Sequence, residues 1–168
     1  MMEINLDGIS VEKYFTGLLF KSKTPLFILA NRDDYDFVYS NEFDNHYLNN
    51  QNIDVFSLEE DGIYVASSVE VIDGKYFTNV SVILDVKLDT FTITNIFKTC
   101  VEAISYVSWT KEAFNDDALY NDVGNYYNTI FVACRGRLEK TLAFDISLYY
   151  QLKELLNDVL AKSFDCLE

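Results

Sequence analysis

The chain has 168 residues, 49% of them hydrophobic, and its 27 acidic side chains outweigh 13 basic ones to give a formal net charge of -14. This length supports one domain with a core of its own, without disulfides or metals, and 13 Phe and 12 Tyr exclude a disordered acidic tail. Nucleic acids and anionic membranes are poor partners for such a charge, since both are bound mainly through Lys and Arg.

Taken in chain order, the first half reads as strand. Tyr14 to Phe20 is rich in aromatic and aliphatic residues, and Pro25 introduces Leu26 to Ala30. The polar turn Asn31 to Asp34 leads into the aromatic run Tyr35 to Ser40, and the Asn-rich stretch Asn41 to Asn50 reads as a loop. Val55 to Leu58 is a short apolar run. Asp61-Gly62 opens Ile63 to Ile72, and Asp73-Gly74 separates that run from Tyr76 to Val86, a strong hairpin signal. Val69 and Val71, then Val80, Val82 and Leu84, alternate on one parity.

The period then changes. Ile93, Ile96, Phe97, Cys100, Ile104 and Val107 recur at three- and four-residue steps, the mark of an amphipathic helix that Thr90 or Thr92 would cap. The polar stretch Asn115 to Asn128 precedes a buried strand, Thr129 to Cys134. Arg135-Gly136-Arg137 reads as a turn, and Thr141 to Phe144 as a short partner strand. A last helix starts near Asp145 or Ser147, with Leu148, Leu152, Leu155, Leu156, Val159 and Leu160 as its stripe. Strands early and helices late predict a single α+β domain, residues 1–168, with a largely antiparallel or mixed sheet and two main helices packed on it.

No run approaches the roughly 20 apolar residues of a membrane-spanning helix. The start Met1-Met2-Glu3 lacks the basic and apolar parts of a secretion leader. Cys100, Cys134 and Cys166 are odd in number and widely spaced, and read as reduced thiols of a cytoplasmic protein. One histidine, His46, excludes a multi-histidine metal site, and no Cys-x-x-Cys or phosphate-cradling glycine loop is present. Cys100 and Cys134 lie on apolar stretches and read as small hydrophobes rather than nucleophiles paired with His46, which itself reads as an exposed loop histidine. The carboxylates at Asp33, Asp34 and Asp36, and at Asp116, Asp117 and Asp122, lack the order of a calcium loop and read as solvated faces. Glu102 differs: it sits one position beyond the helix stripe, where a carboxylate is partly desolvated and could act as a general base or take part in a surface ion pair.

From Val82 to Ala103 the chain resembles the adenosylcobinamide amidohydrolase family of corrinoid salvage. That family carries a Gly-Thr-Ile-Asn strand, then an Asp, then a helix ending in Thr-Glu-Ala-Lys. Tyr76-Phe77-Thr78-Asn79 stands in the first place and retains Asn79, while Asp85, Leu88, Asn95 and Thr99 follow in step. Val101-Glu102-Ala103-Ile104 stands in the last place and retains Glu102 and Ala103. Val123 to Asn128, with Gly124, is similar to the family's Thr-Gly-Thr-x-Thr-Asp run, and Asn128 replaces its acid. Tyr39-Ser40 and Asn45-His46-Tyr47 stand where the family has Leu-Ser and then Asn-Gly-Gly.

The resemblance spans Tyr35 to the C-terminal helix. It implies hydrolysis of the amide joining the aminopropanol arm to adenosylcobinamide, which yields adenosylcobyric acid. Glu102 would be the base, His46 a proton donor, and Asn45, Asn79, Asp85, Gly124 and Asn128 the substrate-binding residues. No cofactor is called for, the corrinoid being substrate or ligand, and a homo-oligomer stays open. Two alternatives stand beside this one. A non-catalytic relative would bind a corrinoid or other bulky cofactor, with Tyr47, Tyr76, Phe77, Tyr126 and Tyr127 stacking on it or filling the pocket. An acidic interaction or inhibitor protein would occupy a basic partner surface.

Overall fold

The β-branched and aromatic runs of the first half become six strands in the computed structural model: β1 (Ile9–Tyr14), β2 (Gly17–Ala30), β3 (Asp36–His46), β4 (Phe56–Glu60), β5 (Ile63–Ile72) and β6 (Lys75–Leu88). Helix α1 (Thr90–Thr110), strand β7 (Asn128–Arg137) and helix α2 (Ile146–Asp165) follow. The structure describes residues 4–14, 17–31, 36–46, 54–72, 74–112, 128–140 and 145–167. The expected short strand Thr141 to Phe144 and the acidic clusters at 33–34 and 116–122 lie outside the described residues.

The strands form one sheet in the order β1-β2-β7-β6-β5-β4, and β3 pairs with β2. Each pairing is antiparallel except β6 with β7. Parallel neighbours cannot be joined by a tight turn, and α1 lies in the connection between them. The expected α+β domain with a mixed sheet and two helices is the observed one.

The glycine turns form as their chemistry requires. Asp61 and Gly62 both take positive φ, 50° and 79°, between β4 and β5, the backbone twist that a two-residue hairpin needs. Gly74, at φ 78°, closes the β5–β6 hairpin.

Several local expectations are corrected, among them Arg135 to Arg137, which are the end of β7 and not a turn because Gly136 and Arg137 pair with Lys87 and Leu88 of β6. Asn41 to His46 are strand rather than loop, because Glu42 to His46 pair with Gly17 to Lys21 across β2. Pro25 does not separate two strands; it lies inside β2, at an irregularity between Lys21 and Leu26 where the ladder demands no N–H from it. The N-cap of α1 is Asp89 rather than Thr90 or Thr92, and its side chain makes no capping hydrogen bond. The start of α2 matches expectation, since Asp145 accepts from the Leu148 N–H at 3.1 Å.

The central strands are buried on both faces, which is why their alternation in the sequence is incomplete. On one face Val80, Val82 and Leu84 of β6, with Ile130, Val132 and Cys134 of β7, pack under Ile93, Phe97, Cys100 and Ile104 of α1 and Leu152, Leu156, Val159 and Leu160 of α2. A buried polar contact joins α2 to the sheet: Ser163 donates to the Val159 carbonyl, and its oxygen lies 2.6 Å from the Ser67 hydroxyl.

The other face carries a second core, with Tyr64, Ala66, Ile83, Phe131 and Ala133 beneath Leu6, Ile9, Val11, Leu18, Phe20, Leu26 and Ile28. Three strand spacings separate β2 from β5 in the sheet order, about 14 Å if the sheet were flat. Phe20 of β2 nevertheless meets Tyr64 of β5 edge-on, with ring centroids 6.1 Å apart. The sheet therefore curls, with the second core on its concave face and both helices on its convex face. Its two ends approach each other: the Asn5 N–H, just ahead of β1, donates to the Glu59 carboxylate on β4 at 3.0 Å.

Candidate functional site

Paired positions on adjacent strands share a face. Asn79 of β6 pairs with Thr129 of β7 on one side and Ser68 of β5 on the other. Their parity is that of Ile83, Phe131 and Tyr64, so the three form a polar row across the concave face. Asn79 Nδ2 donates to Ser68 Oγ at 3.3 Å. Two residues along each strand, Ser81 and Glu70 extend the row, and Ser68, Glu70, Asn79 and Ser81 are all buried. Buried polar groups cost free energy unless they are satisfied, so four of them side by side in a β-face mark a specialised surface.

Thr129 also borders a cavity of about 340 Å³. Its other walls are Ile28 and Ala30 of β2, Phe131 of β7, and Val38, Ser40, Glu42, Phe43 and Asp44 of β3. Local hydrogen bonds shape these walls. Ser40 Oγ donates to the Glu42 carbonyl at 2.6 Å, and the Glu42 N–H lies 3.2 Å from the same oxygen, which tightens β3 beside the cavity. Asn31 accepts from the Ile130 N–H at 2.7 Å and donates to the Asn128 carbonyl at 2.9 Å, clamping the start of β7 to the end of β2. Phe43 packs on Phe131 and Phe20, at centroid distances of 4.3 and 5.0 Å, and forms an aromatic floor.

The residues expected from sequence fall in three places. Asn79 lies in the polar row. Asn45 and His46 end β3, in register with Leu18 and Gly17 and directly after the cavity residue Asp44; His46 is a strand residue, not a loop residue. Asn128 opens β7 beside Thr129, but it pairs with Thr78 and takes the parity of the helix-covered face. Gly124, with Tyr47, Tyr126 and Tyr127, lies outside the described residues. Of the segments that resemble the family's motifs, Ser40 lines the cavity, Asn79 pairs with the cavity residue Thr129, Asn45 and His46 follow Asp44 along β3, and Asn128 faces the helices instead.

Asp85 and Glu102 lie elsewhere. Asp85 is six positions beyond Asn79 on β6, about 20 Å along the strand. It accepts from Arg135 Nε and borders a separate cleft of about 860 Å³ with Asp61, Asp145 and the first turns of both helices. Glu102 sits on the convex side and is exposed, not partly desolvated as its position beside the stripe suggests. It accepts from the Tyr149 hydroxyl at 2.9 Å, and Lys153 Nζ stands 3.8 Å away and donates to Tyr149 at 3.2 Å. The Tyr149 hydrogen bond chiefly holds the Lys153 ammonium above its usual range. This trio joins the two helices and faces away from the polar row.

The thiols behave as expected of small hydrophobes. Cys100 and Cys134 are buried, and desolvation pushes both above the usual thiol value, so neither forms the thiolate a nucleophile needs. Among the described residues, no group of three or more His, Cys, Asp or Glu side chains could hold a metal ion, and no helix is long and apolar enough to cross a membrane.

Sequence reasoning placed Ser40 in a motif without giving it a role, and missed Glu42, Asp44, Ser68, Glu70, Ser81 and Thr129. Part of the signal was present, because Ser68 and Glu70 alternate with Val69 and Val71 in an otherwise apolar strand. Together the concave surface offers carboxylates, hydroxyls and a carboxamide beside an apolar floor, the group types that activate water and stabilise an oxyanion. Compared with models of known protein families, with curated proteins and with solved structures, the chain matches none.

Proposed function

We propose that this chain is a divergent adenosylcobinamide amidohydrolase-like protein, with its ligand held over the polar row and cavity of the concave face. The observation that carries the reading is convergence. Ser40, in one segment that resembles a family motif, lines the cavity, and Asn79, in a second, lies in the buried polar row whose Thr129 borders that cavity. Amide hydrolysis needs a base, donors for the developing oxyanion and an acid for the leaving amine, and this surface holds all three group types.

The direct test is incubation with adenosylcobinamide, followed by the corrinoid absorption spectrum and by chromatography for adenosylcobyric acid. Product supports hydrolysis. A spectral shift without product supports the non-catalytic binding relative. The absence of both a shift and a product sinks both corrinoid readings. Asn79→Ala is expected to weaken the spectral shift at least tenfold in ligand concentration, since it removes the central donor of the row.

The acidic interaction protein remains a second reading, favoured by one feature of the convex side. Tyr106, Trp109 and Tyr150 are 57%, 70% and 63% exposed on the two outer helices, and Tyr and Trp are enriched where proteins bind each other. A partner captured in low salt and released by about 0.5 M salt, with no corrinoid shift, would favour it over hydrolysis.

A further inference from the structure

We infer that Glu70, rather than Glu102, is the carboxylate that carries the proton in the proposed amide hydrolysis, an inference that rests on the amidohydrolase reading above. The two carboxylates stand in opposite environments. Glu102 is exposed on the convex side, with a phenol hydroxyl and an ammonium on it. Glu70 is 7% exposed on the concave face. On that face it stands opposite Phe77 across the β5–β6 ladder, with Asn79 and Lys75 diagonal to it and Ser68 next along its own strand.

The spacing suits the chemistry. Diagonal cross-strand neighbours lie about 7–8 Å apart at the backbone, within reach of long side chains. A glutamate therefore reaches a water placed over Asn79. The row from Ser68 through Asn79 to Thr129 crosses three strands, about 10 Å in all, with Glu70 beside its Ser68 end and the Thr129 hydroxyl, which borders the cavity, at the other. A carboxamide carries two N–H donors; one of Asn79 is given to Ser68, and the second is the donor for an oxyanion. Glu102 lies behind the sheet from all of these.

The step balances as ordinary hydrolysis. Glu70 takes a proton from water as the water oxygen bonds to the amide carbon, and the carbonyl oxygen becomes an oxyanion facing Asn79. The carbonyl then reforms, the C–N bond breaks, and the proton held on Glu70 passes to the departing amine. The products are a carboxylic acid and an amine, and no oxidant, reductant or further co-reactant enters.

Glu70→Gln and Glu102→Gln, each near-isosteric, test the assignment when assayed for both adenosylcobyric acid formation and the corrinoid spectral shift. Glu70→Gln is expected to lower turnover by 10²–10⁴-fold, the usual contribution of general acid–base catalysis, while the spectral titration stays within about threefold of wild type. Glu102→Gln is expected to keep turnover within about threefold. Glu70→Asp is expected to recover part of the turnover, and the acid limb of its kcat/KM profile should shift, which a merely structural residue would not produce. If Glu70→Gln unfolds, the Glu70→Asp profile and Glu102→Gln turnover still decide: an unshifted profile, or loss of turnover in Glu102→Gln, overturns the inference. Wild type that binds the corrinoid without turning it over also overturns it and leaves a binding protein. Wild type that does neither overturns the inference and the functional reading together.

Discussion

Burial decides what individual side chains can do here. Cys100 and Cys134 are buried while Cys166 is exposed, so a thiol reagent at pH 8 is expected to label Cys166 in the native protein, and all three residues after unfolding in urea. Quantitative native labelling of three thiols would contradict the structure. The same burial has a consequence at alkaline pH. The folded pKa of Cys100 is raised above the usual 9.0, so above that value the unfolded state loses a proton that the native state keeps. Stability is then fully present below the unfolded pKa and falls as pH rises, by about 1.4 kcal/mol per pH unit per group. Cys100→Ala is expected to flatten that fall by one proton in urea titrations between pH 9 and 10.5. Tyr149→Phe, by contrast, breaks the hydrogen bond to Glu102 and the one from Lys153 to the same hydroxyl and should cost no more than about 1 kcal/mol. The small-hydrophobe role of the cysteines was legible in their apolar neighbours. The weight of Glu70 was not, because one glutamate in a strand looks like any other until its face is known to be covered.

Elements were legible wherever their signals are local. Asp145 at the head of α2 and the Asp-Gly turns act through their own backbone, and each appears in the structure as its chemistry demands. Asp145→Ala removes an N-cap and is expected to cost about 1 kcal/mol, with Asp145→Asn near neutral, as read from urea midpoints at constant m. Gly62→Ala places a side chain at φ 79° and is expected to cost about 1 kcal/mol. Misreadings fell where partners are remote. Asn41 to His46 have the composition of a loop, yet they are strand because β2 offers them a ladder from a distant part of the chain. Pro25 reads as a separator, yet the irregularity in β2 absorbs it. The helix stripe placed Glu102 near the edge of the buried face, but the position of α2 left it in solvent.

At the scale of the whole molecule the concave core holds the site's shape. Phe20 stacks on Phe43 and meets Tyr64 and Phe131 edge-on, so it ties β2 to strands across the curl. Phe20→Ala is expected to cost about 3–5 kcal/mol and, where the protein still folds, to abolish the corrinoid spectral shift by loosening the cavity wall. Retained corrinoid binding with a large drop in Tm would separate the core from the site. Length, aromatic content and apolar periodicity by themselves determined an α+β domain with strands first and helices last, because those signals come from neighbours along the chain and from the need to bury apolar faces. The curl, the parallel β6–β7 pair and the sides on which Glu70 and Glu102 stand were decided only by tertiary structure. A one-residue parity sends a strand side chain to either face, and which face is concave, buried and polar depends on packing between segments far apart in sequence.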